Sequence, residues 1–197
     1  MWLAFDALML DWHLGMLEGP TGEVRDALSS ADALTLTRAA LAPFAAAAPP
    51  DRTWFILLLG VAGATDLLDG QLARRTGPTR LGRDFDSLAD LAFRAAATNG
   101  ARREGWIDQT SHRVLTARQS ILTGRALWHW FARSHRPPPD PQPLTQWHVP
   151  LLLGGLATGA LGQPRVADRL LTASAIIGSV GLVRGKPFGF APGHNPR

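Results

Sequence analysis

Five breaks, at "APPDR", "RTGPTRLGR", "NGARREG", "RSHRPPPDPQP" and "GQPR", cut most of this chain into six apolar stretches. Proline, glycine and charge at such points end helices and turn the chain. The stretches between them are dominated by alanine and leucine and lack the alternation of half-buried strands, so an all-α fold is expected. The runs are Leu34 to Ala48, Trp54 to Leu68, Leu88 to Ala97, Val114 to Phe131, Val149 to Leu161 and Leu170 to Val183. None reaches the roughly 18 uninterrupted apolar residues of an unambiguous membrane span, although several come close. Trp54 and Trp147 open runs, Trp128 and Trp130 sit near the end of another, and Trp106 lies in a connection. That distribution resembles an interfacial aromatic belt. The expectation is a six-transmembrane-helix bundle with an N-terminal amphipathic surface helix. A soluble alanine-rich bundle is the alternative.

The 197 residues suffice for one domain. With no cysteine, neither a disulfide framework nor a thiolate metal site can form. The formal charge of +4 comes from arginine, Lys186 being the only lysine. Such basicity suits an anionic partner, but the arginines are scattered through apolar segments and nothing resembles a nucleic-acid module. Residues 1–30 begin with "MWLAFDALMLDWHLGMLEG", which has no basic start and carries Asp6 and Asp11 among apolar residues. This reads as an amphipathic juxtamembrane segment lying on a surface. Residues 31–185 form the main domain, and 186–197 an irregular tail. Gly155 and Gly159 make a small-xxx-small pair suited to close helix contact.

The chemistry is concentrated between Thr65 and Asp90, where five aspartates follow directly on the apolar run "WFILLLGVAGA". Asp66 and Asp69 are three apart and share a helix face. Asp86 and Asp90, four apart, share a face on the next segment, while Asp84 points elsewhere at about 100° per residue. The intervening "GQLARRTGPTRLG" is long enough to reverse the chain and bring the two faces together. Four converging carboxylates repel one another or demand cations. Hard divalent ions answer with oxygen ligands, and magnesium prefers a few carboxylates plus substrate phosphates. Two such ions clamp a phosphoryl group between attacking and leaving oxygens. Gly70 and Gly82 leave room for a bulky ligand. Arg74 and Arg75 add fixed positive charge suited to a diphosphate. For any single aspartate, a solvated helix end balanced by loop arginines would be the plainer account; four at paired spacings argue for a site.

The pattern Asp66-x-x-Asp69-Gly70-x-x-Ala73-Arg74, then Gly82-x-x-x-Asp86-x-x-x-Asp90, resembles the complete signature of the CDP-alcohol phosphatidyltransferases. Upstream, "ADALTLTRAALAP" is similar to the family's first-helix pattern, with Thr35, Arg38 and Pro43 in place but without the usual asparagine. The resemblance extends over roughly Ala31 to Arg184. It implies an integral membrane enzyme that moves a phosphatidyl or similar group from a CDP-linked donor to an alcohol and releases CMP. It further implies two Mg²⁺ or Mn²⁺ ions held by Asp66, Asp69 and Asp86. Asp90 would be a further ligand or the base that deprotonates the acceptor. Gly70, Ala73, Arg74 and Gly82 would line the CDP pocket. In relatives with phosphorylated acceptors, arginines of the fourth segment hold the acceptor phosphate; here these are Arg118 and Arg125. Snorkelling to headgroups would explain those two arginines equally well. Gln119 stands where makers of phosphatidylglycerol phosphate carry glutamate, so the acceptor stays unnamed. Relatives also pair as homodimers.

Arg94, inside the third apolar segment, suits a polar pocket better than lipid. The histidines show no metal-ligand spacing. The loop from Gly70 to Arg83 carries Arg74, Arg75, Arg80 and Arg83, and the positive-inside tendency puts it on the cytoplasmic side of the inner membrane. Two other classes stay open. One is a magnesium-dependent intramembrane prenyltransferase, which needs no nucleotide pocket. The other is a non-catalytic membrane scaffold.

Overall fold

The computed structural model describes residue 23 and residues 26–47, 51–76, 80–132 and 147–184. Among these are six helices and no strand: α1 Ser30–Ala47, α2 Arg52–Thr76, α3 Arg80–Arg103, α4 Gln109–Ala132, α5 His148–Ala160 and α6 Pro164–Arg184. The six apolar runs thus correspond one for one to six helices. The surface helix expected near the N-terminus, the proline-rich break around 133–146 and the tail 186–197 lie outside the described residues.

Short polar side chains start three of these helices. Ser29 and Asp32 bond reciprocally at the head of α1: the Asp32 N–H donates to Ser29 Oγ at 3.2 Å and the Ser29 N–H to Asp32 Oδ2 at 2.9 Å. That is a capping box with aspartate as its acid. Asp51 accepts the Trp54 N–H at 3.1 Å before α2, and Asp108 accepts the Ser111 N–H before α4. Gly105 and Gly162, at φ of +70° and +78°, let the chain leave α3 and α5 through the left-handed region.

Packing follows from small residues. α1 lies against both α2 and α3, α5 against α6, and α5 also meets α2 and α3. The main core gathers Ala42, Ala45, Phe55, Leu59, Phe93, Ala97, Leu152, Leu156 and Leu171. Trp106, expected at an interface, is instead buried there, edge-on to Phe55 with ring centroids 5.0 Å apart. Gly155 and Gly159 do bring helices close. A Cβ at Gly155 would stand 2.7 Å from a Leu171 methyl, and one at Gly159 2.6 Å from the Trp106 carbonyl oxygen.

Among the described residues no helix is long and apolar enough to cross a membrane. The causes differ between helices. α5 is the most apolar but has 13 residues, about 20 Å of helix against a hydrocarbon core of about 30 Å. α2 is long, but its apolar part ends at Asp66, and α3 carries Asp86, Asp90 and Arg94 within it. The outer surface is nevertheless apolar in places: Trp54, Leu57, Val61 and Leu68 of α2 are all exposed.

Candidate active site

Two kinds of neighbour turn the acids inward. On α3, Phe85 and Ala89 are buried against Ala39 of α1, which fixes that face of the helix. Asp86 and Asp90, each one residue further on, are rotated about 100° from that contact and share a second face. On α2, Thr65 is buried and its hydroxyl donates to the Ala62 carbonyl at 2.9 Å, with Asp66 next in line. Asp66, Asp86 and Asp90 thereby each place a carboxylate oxygen within 4.8 Å of the other two. The turn between the acids is shorter than the sequence suggests, because α2 runs on to Thr76 and α3 begins at Arg80. Helix α1, packed on both, is the element the two acidic faces share.

From α1 comes Arg38, 1% exposed. Its Nη1 donates to Asp66 Oδ1 at 3.2 Å and Asp86 Oδ1 at 3.0 Å, and also contacts Asp90 Oδ1. The other oxygen of Asp90 accepts from Arg94 Nη2 at 3.0 Å, one helical turn on. Arg94 Nε donates to the Asp90 carbonyl at 3.0 Å, and Arg94 Nη1 lies 3.1 Å from Nε2 of His148. His148 is tied down in turn, its carbonyl accepting the Ser174 hydroxyl at 2.7 Å. Arg118 sits close enough to Arg94 for their charges to oppose each other. Its guanidinium occupies the space left by the missing side chain of Gly178, and its Nε is buried without a hydrogen-bond partner. The Gln119 amide donates to the Leu91 carbonyl and ties α4 to α3.

These donors fit a divalent cation. Each pair of unit charges 4.8 Å apart repels by about 3 kcal/mol at an effective dielectric near 20. Three such pairs are tolerable only around positive charge, and the structure already places a cationic nitrogen at their meeting point. All three donors are carboxylate oxygens, the ligands hard cations take. Asp66 and Asp86 remain 38% and 42% exposed, which leaves an approach for a substrate phosphate.

Of the site residues expected from sequence, Asp66, Asp86 and Asp90 are brought together. The side chains of Asp69, Ala73, Arg74 and Arg125, and the surroundings of Gly70 and Gly82, lie outside the described ones. Arg118 belongs to the cationic group beside Asp90. Arg94, expected to avoid lipid, is paired with Asp90. Two participants were not legible as such. Arg38 had a place in a pattern but no assigned contact, and His148 had no sequence signal because its partner is 54 positions away.

No curated protein and no solved structure matches the chain. A family model does match, that of the CDP-alcohol phosphatidyltransferase, over residues 28–145. That interval is more than half of the 197 residues and contains α1 to α4, with Arg38, the three convergent aspartates, Arg94 and Arg118. The acids and the helices that aim them therefore fall inside the match, and the chain belongs to the CDP-alcohol phosphatidyltransferase family.

Proposed function

We propose that this chain is a membrane-embedded enzyme of phospholipid synthesis. It would move a phosphatidyl group from a CDP-linked lipid such as CDP-diacylglycerol to a small alcohol and release CMP. The observation that carries this reading is the convergence of Asp66, Asp86 and Asp90 on one point, in a chain of this family. With Asp69, they would hold two divalent ions, Mg²⁺ or Mn²⁺. Such ions, when bound, neutralise the diphosphate and stabilise CMP as it leaves.

The chain's own residues do the remaining work. The acceptor oxygen bonds to the phosphorus that carries the lipid, and its proton passes to Asp90. The bond from that phosphorus to the oxygen bridging it to CMP breaks, and CMP departs with the bridging oxygen. Gly70, Ala73, Arg74 and Gly82 would line the nucleotide pocket, small where the nucleotide fits and cationic beside the diphosphate. Arg118, next to Arg94 and with an unsatisfied buried Nε, favours an acceptor that is itself phosphorylated, and Arg125 would assist from one face of the same helix. The apolar exterior of α2 supports contact with lipid tails. The arginines from Arg74 to Arg83 support a cytoplasmic site, where CDP-linked donors are made.

The test is to incubate membranes holding the chain with CDP-diacylglycerol and a panel of alcohols, phosphorylated and not, and to follow CMP and the lipid product by mass spectrometry. Product formation with one acceptor is the expected outcome, with a phosphorylated alcohol preferred. Transfer of an isoprenoid chain with no CMP would point to a prenyltransferase, and no turnover with any donor to a scaffold.

A further inference from the structure

Positive charge reaches the acidic pocket from within the chain, and it does so in an unusual form. An arginine usually meets a carboxylate as a fork, two nitrogens to two oxygens. A single nitrogen of Arg38, Nη1, is met by three carboxylates: Asp66 at 3.2 Å, Asp86 at 3.0 Å, and Asp90. Each terminal guanidinium nitrogen carries two hydrogens, so at least two of the three carboxylates must share one. That is an awkward arrangement for an arginine. For an ion, which has no hydrogens to aim, three oxygens around one point are ordinary. Arg38 is also held where it is by packing, since it is 1% exposed and the neighbouring Ala39 is buried against Phe85 and Ala89.

We propose that Arg38 is a built-in competitor for the divalent cation. Its Nη1 and the ion take the same point among Asp66, Asp86 and Asp90, so the ion binds as the guanidinium withdraws. This inference rests on the metal-dependent reading of the site given above. Arg38 is then a positioning residue. It holds the acidic faces of α2 and α3 against α1 in the absence of metal, and it sets how much metal the site requires.

The experiment is Mn²⁺ binding to the full chain in detergent micelles without substrate, read from the free-ion signal by electron paramagnetic resonance. Arg38→Gln is expected to bind Mn²⁺ on the order of tenfold more tightly than wild type or better, the size of effect one charge has at this range. Arg38→Lys, which keeps a shorter cation in place, should also bind more tightly, by a smaller factor. Mn²⁺ should raise the thermal midpoint of Arg38→Gln more than that of wild type. Unchanged or weaker binding by folded Arg38→Gln overturns the competition. Should that variant not fold, weaker binding by Arg38→Lys than by wild type overturns it equally. A wild type that binds Mn²⁺ and releases CMP, paired with variants that bind no better, removes this inference alone. A wild type that neither binds Mn²⁺ nor releases CMP removes the proposed function with it.

Discussion

At the scale of single residues, the site is a contest of charges settled within a few ångströms. Three carboxylate oxygens lie within 4.8 Å of one another, and two guanidiniums from α1 and α3 answer them. The account expects unequal consequences from similar-looking changes. Asp90→Asn keeps the shape but cannot accept a proton, so turnover should fall roughly 10²- to 10⁴-fold while the protein stays folded; CMP release against thermal midpoint checks this. Gly178→Ala is subtler. Its new methyl would overlie the Arg118 guanidinium, which is the flexible end of a side chain and can swing aside. Folding should survive, and KM for a phosphorylated acceptor should rise about tenfold, the 1.4 kcal/mol of one weakened charged hydrogen bond. An unchanged KM would take Arg118 out of the acceptor site. The acids were readable in advance because i, i+3 and i, i+4 spacings declare a shared face. Arg38 was not, since its partners lie 28, 48 and 52 positions away and only the packing of α1 brings them near.

At the scale of helices, proline and glycine marked the six segments well, because each break removes or redirects backbone hydrogen bonds. Where they misled was the segment around Gly70 to Arg83, expected as a loop. The structure continues α2 to Thr76 and resumes helix at Arg80. Leucine, glutamine, alanine and arginine in "GQLARR" are good helix formers and extend the helix past its glycine. The glycines of α5 have a different role. Gly159 faces the Trp106 carbonyl, a backbone atom that cannot step aside. Gly159→Ala should therefore cost about 1–3 kcal/mol and lower the thermal midpoint by roughly 2–4 °C for each of these. Gly60→Ala in α2, with open space around it, is the control and should be neutral or slightly stabilising. Equal midpoints for the two variants would mean that α5 does not approach as closely as described.

At the scale of the whole molecule, Arg38, Asp90 and Arg94 turn inward, while tryptophan and leucine turn outward on α2. Mean hydropathy along the chain is neutral although part of the surface is apolar. Linear averaging counts Arg38, Asp90 and Arg94 against each helix, whereas in three dimensions they neutralise one another in the interior. An exterior that is apolar along α2 predicts that the protein sediments with membranes, resists an alkaline carbonate wash, and is released by detergent. Release by carbonate alone would place it on the bilayer rather than in it. The central claim is that aspartates from two helices hold divalent ions that drive CMP release. Its most direct test is CMP release by the purified chain from CDP-diacylglycerol and acceptor, titrated with Mg²⁺. The account predicts saturable dependence on Mg²⁺, release lost in a chelator, and release cut at least about 10²-fold by each of Asp66→Asn, Asp86→Asn and Asp90→Asn. CMP release that persists in chelator, or in the three variants combined, would contradict it.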